Sequence, residues 1–157
     1  MACGIRMRRL YDDDGFSQVE IVVEDERAWI SLDAYVNQTM LTTVAATIEG
    51  FTDIVPGARF DITIGHTAEE FAGGGVNIAC RVSRHGDVVL TVLARSGYGE
   101  AGARQFGDVG LEHGAAELRT MLVTEPGQLD RFARELRGFC TGFQESCELT
   151  AQGGWFN

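Results

Sequence analysis

From Ser17 the chain alternates, with Val19, Ile21 and Val23 on one side and Gln18, Glu20 and Val22 on the other. A period of two sends these sets to opposite faces of a strand, one of them half-buried. Glu24-Asp25-Glu26 interrupts the run as an acidic turn, and Ala28, Ile30 and Leu32 resume it, which predicts a hairpin. The period then changes. In DAYVNQTMLTTVAATIEGF, Val36, Met40, Val44 and Ile48 recur at every fourth position with Leu41 and Ala45 beside them. That spacing lays one apolar stripe along a helix, with Asp33 placed as N-cap and Gly50 as its stop. After the Pro56-Gly57 turn, Phe60, Ile62 and Ile64 alternate in a third strand.

The clearest element is VNIACRVSRHGDVVLTVLARS, two alternating runs around a short Gly-containing loop, hence an antiparallel hairpin. Ala116, Leu118, Thr120 and Leu122 make one more strand. Leu129, Phe132, Ala133, Leu136, Phe139 and Cys140 then fall at helical spacing behind Pro126, a residue suited to a first turn. Residues 1–16, ending in Asp12-Asp13-Asp14-Gly15, read as a flexible segment. Residues 141–157 read as a tail whose Trp155 and Phe156 could dock back. The expected order is ββαββββα over a single domain at 17–140. This is an α+β fold, with an antiparallel sheet of about six strands and two helices on one face.

Composition narrows the functional classes. The chain has 157 residues, 45% hydrophobic and 23% charged, an ordinary globular balance. All 13 basic residues are arginine, which suggests a GC-rich, bacterial genome, and the net charge is −10. A chain this acidic lacks the basic face that nucleic acid or an anionic membrane requires. It suits a basic partner, or simply a solvated surface. No run approaches the roughly 20 apolar residues of a membrane span. Nor does the start show the apolar stretch of a signal peptide. The four cysteines, Cys3, Cys80, Cys140 and Cys147, form no C-x-x-C pair. The expectation is a cytoplasmic protein with reduced thiols.

Motifs that would carry chemistry are weak. Gly97-Tyr98-Gly99-Glu100-Ala101-Gly102 spells G-x-G-x-x-G, but a dinucleotide site needs a parallel strand before it and a helix after it. Here a hairpin strand precedes the motif, and glycines at 102, 107, 110 and 114 would break any helix behind it. Gly73 to Gly75 lead into a strand and so lack a phosphate-binding helix. His66 near Glu69 and Glu70 is the one local cluster with the makings of a metal site, and Glu112 with His113 could act as an acid/base pair, but these histidines sit in Gly-rich turns. Cys80 and Cys140 read as core thiols. No catalytic residue, metal site or cofactor is expected.

ISLDAYV leading into a helix, the hairpin above, and ELRTMLVTEPGQLDRFARELRGF together resemble a family of small bacterial proteins known only as a domain of unknown function. The resemblance spans roughly Val19 to Phe139, rests on packing and turn residues, and carries no catalytic residue over. Such acidic α+β proteins also resemble immunity proteins, which imply neutralisation of a toxin by binding it. The leading expectation is a non-enzymatic protein that sequesters a basic protein partner. Glu20, Glu24, Asp25, Glu26 and Trp29 are its candidate contact residues. The alternative is a small-ligand-binding domain or enzyme with a pocket at the Gly-rich segment 96–114, near His66, Tyr98 and His113. Oligomeric state is left open.

Overall fold

In the computed structural model the described residues are 3–13, 15–51, 55–66, 74–96 and 116–153. Their strands are β1 (Cys3–Asp13), β2 (Phe16–Glu24), β3 (Trp29–Asn37), β4 (Arg59–Gly65), β5 (Gly75–Val82), β6 (Val88–Ser96), β7 (Ala116–Thr124) and β8 (Ser146–Gly153). Helix α1 (Gln38–Glu49) joins β3 to β4, and α2 (Pro126–Cys140) joins β7 to β8. The described residues are therefore α+β, with an antiparallel sheet and two helices. The sheet has eight strands instead of about six, in the order β3-β2-β1-β8-β7-β6-β5-β4.

The two additional strands come from the ends. Residues 3–13, expected to be flexible, form β1 inside the sheet between β2 and β8. Cys3, Ile5 and Met7 point into the core while Arg6 and Arg8 point out. The supposed tail supplies β8, whose Cys147, Leu149 and Ala151 are buried in alternation with Glu148, Thr150 and Gln152. Pairing on both sides satisfies the backbone polar groups of β1, which a free segment would leave to water.

The sheet consists of two four-stranded halves that meet where β7 pairs with β8. Among the described residues these strands pair at Leu122↔Gly153 and Val123↔Gln152, supplemented by Thr124 Oγ1 donating to the Thr150 carbonyl at 2.7 Å. The halves curl until the edge strand β3 packs across β4 to β7. Closest approach falls at glycines. A Cβ on Gly74 would lie 2.7 Å from the carbonyl oxygens of both Asp33 and Arg95. Gly65, at φ +81°, sits against Ala34. Side chains there would push the edges apart.

Helix α1 begins later than its pattern suggests. Ala34 and Val36 continue the inward alternation of β3, and Asn37, not Asp33, caps the helix by accepting from the Met40 amide at 2.8 Å. Gly50 follows the last helical residue, and its amide donates to the Ala46 carbonyl. Helix α2 packs against α1 and β8, and buries Leu129, Phe132, Ala133, Leu136 and Phe139. These join the inward residues of all eight strands in one core, where each fully buried large apolar side chain contributes about 1.5–3 kcal/mol.

Candidate interaction surface

Strand register builds the outer face of β1–β3 row by row. Gly4, Glu24 and Trp29 form one row; Arg6, Val22 and Ser31 the next; Arg8, Glu20 and Asp33 the third; Tyr11, Gln18 and Tyr35 the fourth. Arg9 continues the inward alternation of Ile5 and Met7, and a bulge between Arg9 and Tyr11 then places Tyr11 on the outer face. Trp29 is 68% exposed, and Tyr11, Phe16 and Tyr35 are each at least half exposed at the other end of the strip. Six positions of β3 separate Trp29 from Tyr35, about 20 Å at the usual rise of a strand.

Between these aromatic ends lies charge, much of it already matched. Arg8 Nη2 reaches Glu20 and Arg6 Nη2 reaches Glu24, both at 3.3 Å. Ser31 Oγ also donates to Glu20, and Gln18 Nε2 to Asp33, again at 3.3 Å. Asp33 and Glu26 are left without an arginine in these contacts. Glu26 is exposed and touches the position a Cβ on Gly153 would take.

Asp25 does not belong to this surface. It is only 5% exposed and turns inward from the β2–β3 turn. Its carboxylate accepts from the Arg27 amide at 2.7 Å, the Ala28 amide at 2.8 Å and Thr120 Oγ1 at 2.5 Å. Burial opposes ionisation, but these three hydrogen bonds and the Arg27 charge outweigh it and hold the carboxyl below its ordinary pKa. The residue is a structural bolt across the rolled sheet. His66 is exposed just past β4, with its amide donating to the Gly74 carbonyl at 3.0 Å. Tyr98, Glu112, His113, Trp155, Phe156 and the Gly97–Gly102 motif lie outside the described residues. β6, the strand ahead of that motif, is antiparallel to both its neighbours, unlike the strand of a dinucleotide site.

No local pattern singles out Arg9. Its guanidinium lies over the Phe139 ring at 4.1 Å, donates to the Phe139 carbonyl at 2.5 Å and pairs with Asp12 at 2.7 Å. Its Nε is buried without a hydrogen-bond partner among the described residues, with the Glu145 carboxylate at 3.9 Å. Ser17 and Arg9 together hold the Asp12 carboxyl below its usual range. A cavity of about 180 Å³ opens beside them, lined also by Asn37, Gln38 and Cys140. Asp12 already answers the Arg9 charge there.

The thiols are poor nucleophiles. All four are free, and burial pushes Cys80 and Cys147 up to about 12. Cys140 and Cys3 are raised for the same reason. Among the described residues no group of three or more His, Cys, Asp or Glu is placed to hold a metal ion. Among them, too, no helix is long and apolar enough to cross a membrane. Comparison with protein-family models, curated proteins and solved structures gives no match.

Proposed function

We propose that this chain is a non-enzymatic binding protein that sequesters a basic protein partner on the outer face of β1–β3, as an immunity or inhibitor protein does. The observation that carries the reading is Trp29, 68% exposed at the end of an edge strand and opposite Glu24. A large aromatic held on a rigid strand costs solvation in the free protein, and it anchors a partner at low entropic cost. Tyr11, Phe16 and Tyr35 supply a second apolar contact at the far end. Asp33 and Glu26 offer carboxylates to arginine or lysine, and the net charge of −10 steers such a partner inward.

The test is affinity capture from the native host with the wild-type chain and with Trp29→Ser. A basic protein retained by the wild type, released by raised salt and lost with Trp29→Ser supports the reading. A partner that binds both chains equally, or none at all, overturns it.

A further inference from the structure

The outer face of the other half-sheet carries a different feature. Arg59 on the edge strand β4 stands directly opposite Arg81 on β5, and both side chains are exposed. Antiparallel partners place their Cβ atoms about 4.5–5.5 Å apart, and like charges so placed destabilise the pair. Most described arginines have an acidic neighbour: Arg6, Arg8, Arg9, Arg95, Arg119, Arg131 and Arg137 each make an ion pair. Arg59 and Arg81 make none among the described residues, although Asp61 is two positions from Arg59 on the same face. Charge on an edge strand guards against strand addition, which accounts for Arg59. It does not account for Arg81, because β5 is paired on both sides.

The two guanidiniums border a depression of about 400 Å³ whose lining continues through Asp61, Ala79, Thr91 and Met121. Register makes Asp61, Ala79, Thr91 and Met121 one row across four strands, adjacent to the row of Arg59, Arg81 and Val89. Charge thus lies at one border and apolar surface beside it, with Met121 44% exposed. We infer that this depression binds a small organic oxyanion. Its negative head bridges Arg59 and Arg81, and its apolar body lies on Ala79 and Met121. A bridging oxyanion accepts charge-assisted hydrogen bonds from both forks and removes their mutual repulsion. Asp61 limits the choice: it repels a second negative group and favours a ligand with a donor on the body. The site is remote in sequence from the β1–β3 face, and it stands whether or not that face binds a protein.

The test is a titration of the isotope-labelled full chain, followed by amide and arginine side-chain resonances. Phenyl phosphate and benzoate serve as probes of the two oxyanion sources, and inorganic phosphate tests for the apolar body. Binding of either organic probe, shifting residues 79–81 and 89–91 and weakened about tenfold or more by Arg59→Gln or Arg81→Gln, supports the site. Arg134→Gln, at an exposed position on α2, serves as the control and leaves affinity unchanged. The proposal fails if neither organic probe shifts these residues. It fails equally if inorganic phosphate binds as well as phenyl phosphate, or if the Arg134 variant weakens binding as much. A second readout is independent of ligand: Arg81→Gln leaves the melting temperature of the free protein unchanged or higher. A fall would show Arg81 to be a structural residue and overturn the inference.

Discussion

Asp25, in the turn between β2 and β3, accepts a 2.5 Å hydrogen bond from Thr120 on β7, across 95 residues of chain. The contact ties one half-sheet to the other beside the β7–β8 seam, where Thr120 is two residues from Leu122 and Glu26 packs against Gly153. Asp25→Ala leaves the Thr120 hydroxyl and two turn amides without their acceptor, so the expected loss is about 2–3 kcal/mol in urea unfolding. Thr120→Val, which removes one donor, costs about 1–2 kcal/mol. Equal stability in all three proteins contradicts the bolt.

The same carboxylate sets a pH dependence. Its folded pKa is lowered from the ordinary value of 3.8, so its contribution is fully present above that value. That contribution is lost as pH falls through the lower folded pKa. The stability gap between wild type and Asp25→Asn is therefore constant near neutrality and narrows only below about pH 4. Thermal melts across that range check the sign, and a gap that widens on acidification refutes it.

Arg9 combines three geometries that lysine cannot reproduce together: a ring stack on Phe139, a bond to the Phe139 carbonyl at the end of α2, and the Asp12 pair. Arg9→Lys is expected to cost about 1–2 kcal/mol. Arg84→Lys, at an exposed turn position, stays within about 0.5 kcal/mol. Denaturant midpoints separate the two.

Where the rolled sheet brings β3 against the start of β5, Gly74→Ala puts a methyl 2.7 Å from two carbonyl oxygens. The backbone must shift, and a destabilisation of about 2 kcal/mol or more is expected from calorimetry. Gly127→Ala, with no atom within 4 Å of the new methyl, should be neutral or stabilising.

Thiol accessibility reports the core directly. A disulfide reagent at mildly alkaline pH should leave Cys80 and Cys147 untouched in the native protein, because both are buried and raised to about 12. Partly exposed Cys140 reacts slowly, and all four thiols titrate after unfolding. Fast labelling of Cys80 in the folded state would contradict the packing of β5.

Most of the interior is readable as alternation, because β2 to β6 each carry apolar residues at every second position. The ends are harder. In β1 only Ile5 and Met7 give the signal, amid three arginines, and the bulge before Tyr11 reverses its phase. In β8 the buried residues are Cys147, Leu149 and Ala151, two of them small. Val36 misleads for a related reason. It fits both the i, i+4 stripe of α1 and the i, i+2 face of β3, and only the Asn37 cap separates the two. Exposure of Trp29 follows from strand phase. Burial of Asp25 depends on Thr120, a partner that no local pattern announces.

The pairing of β1 with β8 has a consequence for synthesis. Cys3 lies opposite Ala151 and Arg8 opposite Ser146, so the first strand of the sheet to be made waits for the last before its second edge is covered. Until β8 leaves the ribosome, β1 and β2 form at most a three-stranded sheet with β3, its edge open to other chains. Contacts of such sequence separation slow folding as well. The nascent protein thus carries an adhesive border on β1 from the completion of that strand until β8 emerges, and the two arginines on its outer face, Arg6 and Arg8, guard it meanwhile.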